Sequence, residues 1–403
     1  MPERRIGLLW VIFLAYFSFG MITNVLGVII PEAIKQYSLT NFEGGLLAFS
    51  FFIAYFFFSI PTGTLLDRFG AKPLLVVGVA LMAFGCLFVV WANSYVLLLA
   101  MTFAIGVGVT MVQTAGNPLI QHLDVLENYH RNLTLTIGFC GIGAFLGPFL
   151  LAAIRGSGHS WQSLYIVFAL LCFVLLGLLA ISNFDGTRTA SSSQFQMGEI
   201  GKLLANPLVI AYCFGIFFYV GAEVGTASWI VKFFQNVHGT STEVANLESA
   251  SFLAKVLPTL PALVVSLFWG LQGTGRLVSG AILKKFGSRR ILRFYSFMAL
   301  ALLLVADFGS QNMSAFGFAA CGFFTSVLFT LVFSGTINSF SEDQGTISGL
   351  LCTAIVGGAI IPPIVGWVGD KYGMRMAMLV PALCFSYVFL LSLLGKAKYE
   401  EGA

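Results

Sequence analysis

The chain has 403 residues, 58% of them hydrophobic and only 9% charged, with a mean hydropathy of +0.91. Soluble domains carry roughly 25% charged residues, so this composition excludes one, and the lack of alternating ten-residue patterning excludes an outer-membrane barrel. The formal net charge of +4 offers no hint of nucleic acid and reports membrane topology instead.

A membrane-spanning helix needs about 20 mostly apolar residues. In chain order such runs lie near 7–30, 44–66, 73–92, 96–121, 133–154, 162–182, 206–235, 257–283, 290–307, 314–339, 345–368 and 374–395, predicting twelve spans. The first run is too long for a signal peptide and has no small-residue cleavage site, so it is expected to remain as span 1. With the N-terminus inside, Arg4, Arg5, Arg68, Lys72, Arg131, Arg188, Lys202, Lys284, Lys285, Arg289, Arg290, Arg293, Lys396 and Lys398 fall on the cytoplasmic side. Lys35, Arg155, Lys232, Lys255, Lys371 and Arg375 fall opposite, and Arg276 lies inside a span. Fourteen against six is a clear positive-inside bias, which places both termini in the cytoplasm of a cell with this protein in its cytoplasmic (inner) membrane. The seven cysteines are isolated in apolar runs without metal-ligand spacing and read as small core residues; no cofactor or metal is expected.

The polar stretch 184–205 divides the runs six and six, giving an N-terminal bundle over 1–183, an inter-bundle loop over 184–205 and a C-terminal bundle over 206–403. Each half repeats one short signature. Gly63-Thr64-Leu65-Leu66-Asp67-Arg68-Phe69-Gly70-Ala71-Lys72 joins spans 2 and 3, and Gly280-Ala281-Ile282-Leu283-Lys284-Lys285-Phe286-Gly287-Ser288-Arg289 joins spans 8 and 9. Glycine permits tight turning and close helix approach, while the Asp67 and Arg68 charges can bridge neighbouring helix ends and so gate the cytoplasmic side. Simple anchoring by basic loops is the competing reading, but two copies at matching positions point to internal repetition.

This layout resembles the major facilitator superfamily. Four segments narrow the resemblance: Gln113-Thr114-Ala115-Gly116-Asn117-Pro118 in span 4, Tyr219-Val220-Gly221-Ala222-Glu223-Val224 in span 7, Phe268-Trp269-Gly270 through Gly275-Arg276 in span 8, and Ala354-Ile355-Val356-Gly357-Gly358-Ala359-Ile360-Ile361-Pro362 in span 11. They are similar to motifs of the fucose permease-like (fucose:proton symporter) family, and the similarity runs on through Asp370-Lys371-Tyr372-Gly373 and Val380-Pro381. The resemblance implies an all-α membrane protein, twelve transmembrane helices in two pseudo-symmetric six-helix bundles, which transports a small polar solute, a monosaccharide above others, by alternating access. The sequence also departs from the family. Gly27 stands where the family often has a span 1 aspartate implicated in proton coupling, Gln113 replaces a position that is glutamate in some members, and Cys140-Gly141-Ile142-Gly143-Ala144 replaces an asparagine-containing run in span 5.

A midplane site in such a bundle draws on spans 1, 4, 7 and 10, with help from 5, 8 and 11. Asn24, Gln113, Asn117 and Asn338 are amides within apolar runs, suited to hydroxyls because each offers donors and acceptors. Each could instead close an interhelical hydrogen bond, about 0.6 kcal/mol in membranes. For Asn117 that reading is preferred, because Pro118 frees a nearby carbonyl. Trp269 and Gln272, three apart on one helical face, could stack on a sugar ring and bond its hydroxyls. Trp229 is expected as an interfacial anchor and Asp307 at the membrane interface.

Glu223 and Arg276 are the two charges placed deep in spans. Arg276 is expected to pair with a carboxylate or cap helix carbonyls, and is grouped with Asp67 and Arg68 among the gating residues. Glu223 can serve as the proton-coupling group, as a substrate ligand or as a permanently paired structural acid; the first is preferred because no other central carboxylate remains. A sodium-coupled carrier and an uncoupled facilitator stay open, as does an exporter of less polar or amphipathic compounds. An enzyme is disfavoured: no phosphate-cradling loop, catalytic triad or two-histidine metal pattern occurs. The expected partners are therefore a sugar-like small molecule, a proton or sodium, and the lipid bilayer around a monomer.

Overall fold

Within hydrocarbon every backbone N–H and C=O must find a partner inside the protein, so the apolar runs have little choice but to form helices. The computed structural model describes residues 6–120, 123, 129–184, 203, 205–240, 258–340 and 344–397, and all regular structure among them is helical. The inter-bundle loop expected over 184–205 lies almost wholly outside the described residues, as do Arg4, Arg5, Arg188, Lys202, Lys255 and Lys398. Fifteen α-helices build the twelve spans among the described residues. Span 1 is α1 (Ile6–Asn24) followed by α2 (Leu26–Tyr37); spans 2 to 6 are α3 (Asn41–Phe69), α4 (Ala71–Val89), α5 (Tyr95–Ile120), α6 (Tyr129–Gly156) and α7 (Ser163–Ile181). Spans 7 to 9 are α8 (Pro207–His238), α9 (Leu260–Phe286) and α10 (Ser288–Phe308). Span 10 is α11 (Gln311–Thr325) plus α12 (Leu328–Ile337), span 11 is α13 (Gln344–Thr353), a 3₁₀ turn (Ala354–Val356) and α14 (Gly357–Tyr372), and span 12 is α15 (Met374–Leu394).

Eleven of these spans are long and apolar enough to cross a membrane on composition alone; the other, α9, carries Arg276, Lys284 and Lys285. Three spans anticipated as single helices are interrupted: span 1 at Val25, span 10 at Ser326–Val327 and span 11 at the 3₁₀ turn. Interrupted helices expose backbone carbonyls, which membrane proteins tolerate only where protein groups or a cavity can satisfy them.

Within the first bundle α3 and α4 pack on α5, α4 on α7 and α1 on α6; within the second α9 and α10 pack on α11, and α8 and α10 on α15. The most extensive contacts across the bundle boundary are α3 with α14, α6 with α9 and α2 with α8. With twelve spans both chain ends share one face, called here the terminal face. The tight boundary contacts lie in the half nearer the other face. A methyl placed on Gly27 of α2 would collide with the Ala227 carbonyl of α8, and one on Gly45 of α3 would come within 2.6 Å of Pro363 Cα in α14. On the terminal side, by contrast, Asp67, Arg68, Asn117 and Asn338 are exposed. Among the described residues the tightest approaches across the boundary, at Gly27 and Gly45, thus lie towards the far face.

The Gly27 contact supplies a physical reason for the sequence departure in span 1. An aspartate there would drive a side chain into the α8 backbone, so the acid is incompatible with this contact. Overpacking of a tight contact costs roughly 1–3 kcal/mol. Gly27→Asp should therefore lower the thermal stability of the detergent-purified protein by about that amount. An unchanged unfolding transition would show that α2 and α8 do not meet as closely as described.

Candidate functional site

Tyr219 and Glu223 stand one turn apart on α8, inside a long buried stretch of that helix. Their spacing puts both side chains on one face, aimed at α9 and the break between α11 and α12. Tyr219 Oη lies 2.7 Å from Glu223 Oε1 and 3.0 Å from the carbonyl oxygen of Thr325, the last residue of α11. Gln272 of α9 donates its amide N–H to the same carboxylate oxygen. Arg276, four residues on, donates from Nε to the Ser326 carbonyl at 3.2 Å and holds a terminal guanidinium nitrogen 3.9 Å from Glu223 Oε1. The acid is thus surrounded by a phenol, an amide and a guanidinium, two of which also bind carbonyls at the span 10 break. Only 10% of the Glu223 side chain is exposed, against 32% for Arg276, so the guanidinium is the more accessible member of the pair.

The phenol has a single proton and two acceptors within reach. With Glu223 ionised, Tyr219 donates to the carboxylate. With Glu223 protonated, the carboxyl can donate to Tyr219 Oη and the phenol to the Thr325 carbonyl. The geometry accommodates both states with the same heavy-atom positions.

Trp269 shares the α9 face with Gln272 and Arg276. The residue is 8% exposed, its ring packs edge-on against Phe268 at 5.1 Å, and its Nε1–H is buried with no acceptor among the described residues. A buried donor without a partner is uncommon enough to mark a place where a further acceptor belongs.

The facing polar groups come from the first bundle. On α5, Gln113 and Asn117 are four apart; Tyr55 of α3 donates its hydroxyl to Gln113 Oε1 at 2.6 Å, and Tyr16 of α1 donates to Asn117 Oδ1. The Asn117 amide is therefore used between helices, with a phenol rather than the Pro118-freed carbonyl as its partner. Asn24 turns its Nδ2–H back onto the Gly20 carbonyl at 3.0 Å, next to the span 1 break. The two sides approach along α6 and α9. Gly141 and Gly273 make this approach possible, since a methyl on Gly141 would stand 3.0 Å from Gly273 Cα.

Several expectations need correction. Asn338 does not line the middle of the bundle: it is the exposed C-cap of α12 at the terminal face, because span 10 ends at Ile337. Arg276 does pair with a carboxylate and cap a helix carbonyl, as expected, and its grouping with Asp67 and Arg68 finds no contact in its support because its partners are Glu223 and the span 10 break. Trp229 is no interfacial anchor; it is fully buried and donates to the Pro362 carbonyl of α14 at 3.0 Å. Asp307 does lie at the end of α10, but it is 1% exposed, with both carboxylate oxygens lacking a hydrogen-bond donor among the described residues. Asp67 and Arg68 make no ion pair among the described residues, and the Arg68 guanidinium stacks on Phe69 at 5.1 Å. Sequence reasoning missed Tyr55, a tyrosine in a phenylalanine-rich stretch whose role depends on which face of α3 meets α5.

Comparison with known proteins agrees with this architecture. The family model of the Major Facilitator Superfamily matches residues 12–355. A glucose/galactose transporter of Brucella abortus is 31% identical over 395 residues, covering 95% of this chain and 92% of its own. The L-fucose-proton symporter of Escherichia coli is 25% identical over 409 residues, covering 93% and 90%. A crystal structure of the fucose:proton symporter of that organism superposes with a TM-score of 0.66 at 21% identity, over 98% of this chain and 100% of that one. The chain belongs to the Major Facilitator Superfamily, within its fucose permease-like family.

Proposed function

We propose that the protein is a secondary transporter that moves a monosaccharide across the cytoplasmic membrane by alternating access, with Glu223 coupling the movement to a proton. What supports this reading is a polar cluster in each bundle, Gln113, Asn117, Tyr16 and Tyr55 in the first and Glu223, Gln272, Arg276 and Trp269 in the second, with the bundles meeting closely at Gly141 and Gly273. Amides and phenols match hydroxyls, and an indole with an unfilled N–H offers both a stacking face and a donor. The names of the Brucella and Escherichia relatives support a sugar as the solute and a proton as the coupling ion. No step in this reading changes the solute chemically.

Orientation follows from the basic residues on the terminal face, which place both termini in the cytoplasm. The structure is then the inward-open state, with solute released towards the cytoplasm and the outer side sealed at Gly27 and Gly45. In that state Asp67 and Arg68, which make no ion pair among the described residues, would bridge helix ends only when the inner side shuts. Asn24, beside the span 1 break, completes the solute site when that region moves. We take one chain as the working unit.

A second reading has one observation in its favour. Glu223 already has three neighbours in Tyr219, Gln272 and Arg276, which would suit a permanently ionised structural acid in an uncoupled facilitator. The two readings separate on one substitution. Glu223→Gln retains size and hydrogen bonding but cannot titrate. Under proton coupling, the variant in proteoliposomes should exchange sugar at near wild-type rates yet lose accumulation driven by an imposed proton gradient. Wild-type protein that equilibrates but never accumulates sugar under a proton or a sodium gradient would establish the facilitator.

The gate has its own test. Asp67→Asn should weaken the state closed on the inner side, shift the population inward and slow net turnover severalfold without abolishing solute binding. Accessibility of an engineered cysteine lining the inner opening reports the shift. Unchanged labelling would leave Asp67 with a purely topological role.

A further inference from the structure

We propose that Asp370 is a latch that holds the outer face shut by capping the N-terminus of α3 across the bundle boundary. A helix begins with four backbone N–H groups that have no partner inside the helix. In α3 the accounting can be followed group by group. Thr40 is the N-cap, its side-chain oxygen accepting from Glu43 N at 3.2 Å while Glu43 Oε2 accepts from Thr40 N at 2.8 Å, a reciprocal capping box. Gly44 N reaches the Thr40 carbonyl at 2.9 Å. The N–H groups of Asn41 and Phe42 remain, and both donate to Asp370 of α14, to Oδ1 at 2.9 Å and Oδ2 at 2.8 Å. A carboxylate taking two N–H groups at the positive end of a helix combines charge-assisted hydrogen bonding with a favourable dipole interaction. The helix belongs to the first bundle and the carboxylate to the second, so the contact exists only while the outer ends of α3 and α14 are together.

The sequence around Asp370 shows that this position is part of the repeat. Gly366-Trp367-Val368-Gly369-Asp370-Lys371-Tyr372-Gly373 has the spacing of Gly63 to Gly70 and of Gly280 to Gly287: glycine, three residues, a charged pair, an aromatic ring and glycine. The closing glycines share one backbone geometry, with φ of 81°, 77° and 84° at Gly70, Gly287 and Gly373, where a side chain would be strained. The third copy lies on the opposite face of the membrane from the other two. Close packing keeps it in register, since Gly366 lies against the Asn41 carbonyl with no room for a side chain. Lys371, next in sequence, turns away and sits 4.5 Å over the Trp367 ring. Asp370 itself is exposed, so truncating it disturbs no core.

The test needs neither the solute nor the coupling ion to be known. Spin labels on cysteines introduced at Val96 and Met313, exposed residues at the outer ends of the two bundles, report the opening of that face by pulsed electron-spin distance measurement. The half-buried Cys213 and Cys352 are replaced by alanine in the background. Asp370→Ala should raise the ratio of outer-open to outer-closed molecules about three- to tenfold, the size expected for losing a charged cap. Asp370→Asn, which keeps an acceptor without the charge, should give a smaller rise. Lys371→Gln changes the local charge but not the cap, and should leave the distribution where it was. A distance distribution in Asp370→Ala that matches the wild type would overturn the latch. So would a shift in Lys371→Gln as large as that in Asp370→Ala, which would assign the effect to surface charge.

Discussion

The centre of this molecule is organised by one problem, a carboxylate and a guanidinium held far from bulk water. Glu223 and Arg276 stand 3.9 Å apart; at that depth the carboxylate needs further partners to stay ionised, and the guanidinium, which stays charged, needs acceptors for its other N–H groups. Tyr219 and Gln272 supply them on the acid's side, and the Ser326 carbonyl supplies one on the arginine's side. The last contact ties the charge pair to backbone, because Thr325 and Ser326 lie where span 10 is interrupted. The interruption and the charges therefore depend on each other: the break offers carbonyls that need donors, and Arg276 and Tyr219 are donors that need acceptors. A proton arriving at Glu223 would shift the Tyr219 hydrogen from the acid to the Thr325 carbonyl, so titration would change the bonding that ties span 7 to the span 10 break.

Closure of the face opposite the termini obeys a different rule. There is no hydrophobic driving force between helices in lipid, so tight association relies on small residues that let backbones meet and on polar contacts at the ends. Gly27 against Ala227, Gly45 against Pro363 and Gly366 against Asn41 provide the first, and Asp370 on the α3 terminus provides the second. Such contacts are short in range and lost together when the bundles separate, which suits a structure that must switch between two closed ends. The same constraint accounts for the missing span 1 acid: a position packed against a neighbouring backbone carbonyl has no room for a carboxylate.

Much of the architecture was legible in the sequence because membrane spans announce themselves by length and apolarity, and because the Gly63–Gly70 and Gly280–Gly287 segments are near copies. The conjunction of Glu223 with Gln272 and Arg276 was half legible, since helical spacing alone sets Gln272 and Arg276 on one face of α9. What could not be read is which faces meet. Asn338 was placed in the middle because it interrupts an apolar run, yet it is the cap that ends the helix. Trp229 looked like an interfacial ring because the sequence carries no sign of the Pro362 carbonyl opposite it. Tyr55 is hidden among phenylalanines and becomes informative only once α3 is laid against α5. The breaks in spans 1, 10 and 11 have no proline at the break itself, so local sequence gave little warning of them.

The central claim is that one chain carries a monosaccharide through this site by alternating access. Counterflow in proteoliposomes containing only the wild-type protein tests it most directly, because exchange needs both facing states but no ion gradient. Vesicles loaded with unlabelled glucose, galactose or fucose should draw in the labelled form of at least one of them in a transient overshoot, and excess unlabelled sugar outside should abolish it. Absence of overshoot for every monosaccharide, together with robust counterflow of an amphipathic cation, would contradict the account and favour an exporter built on the same fold.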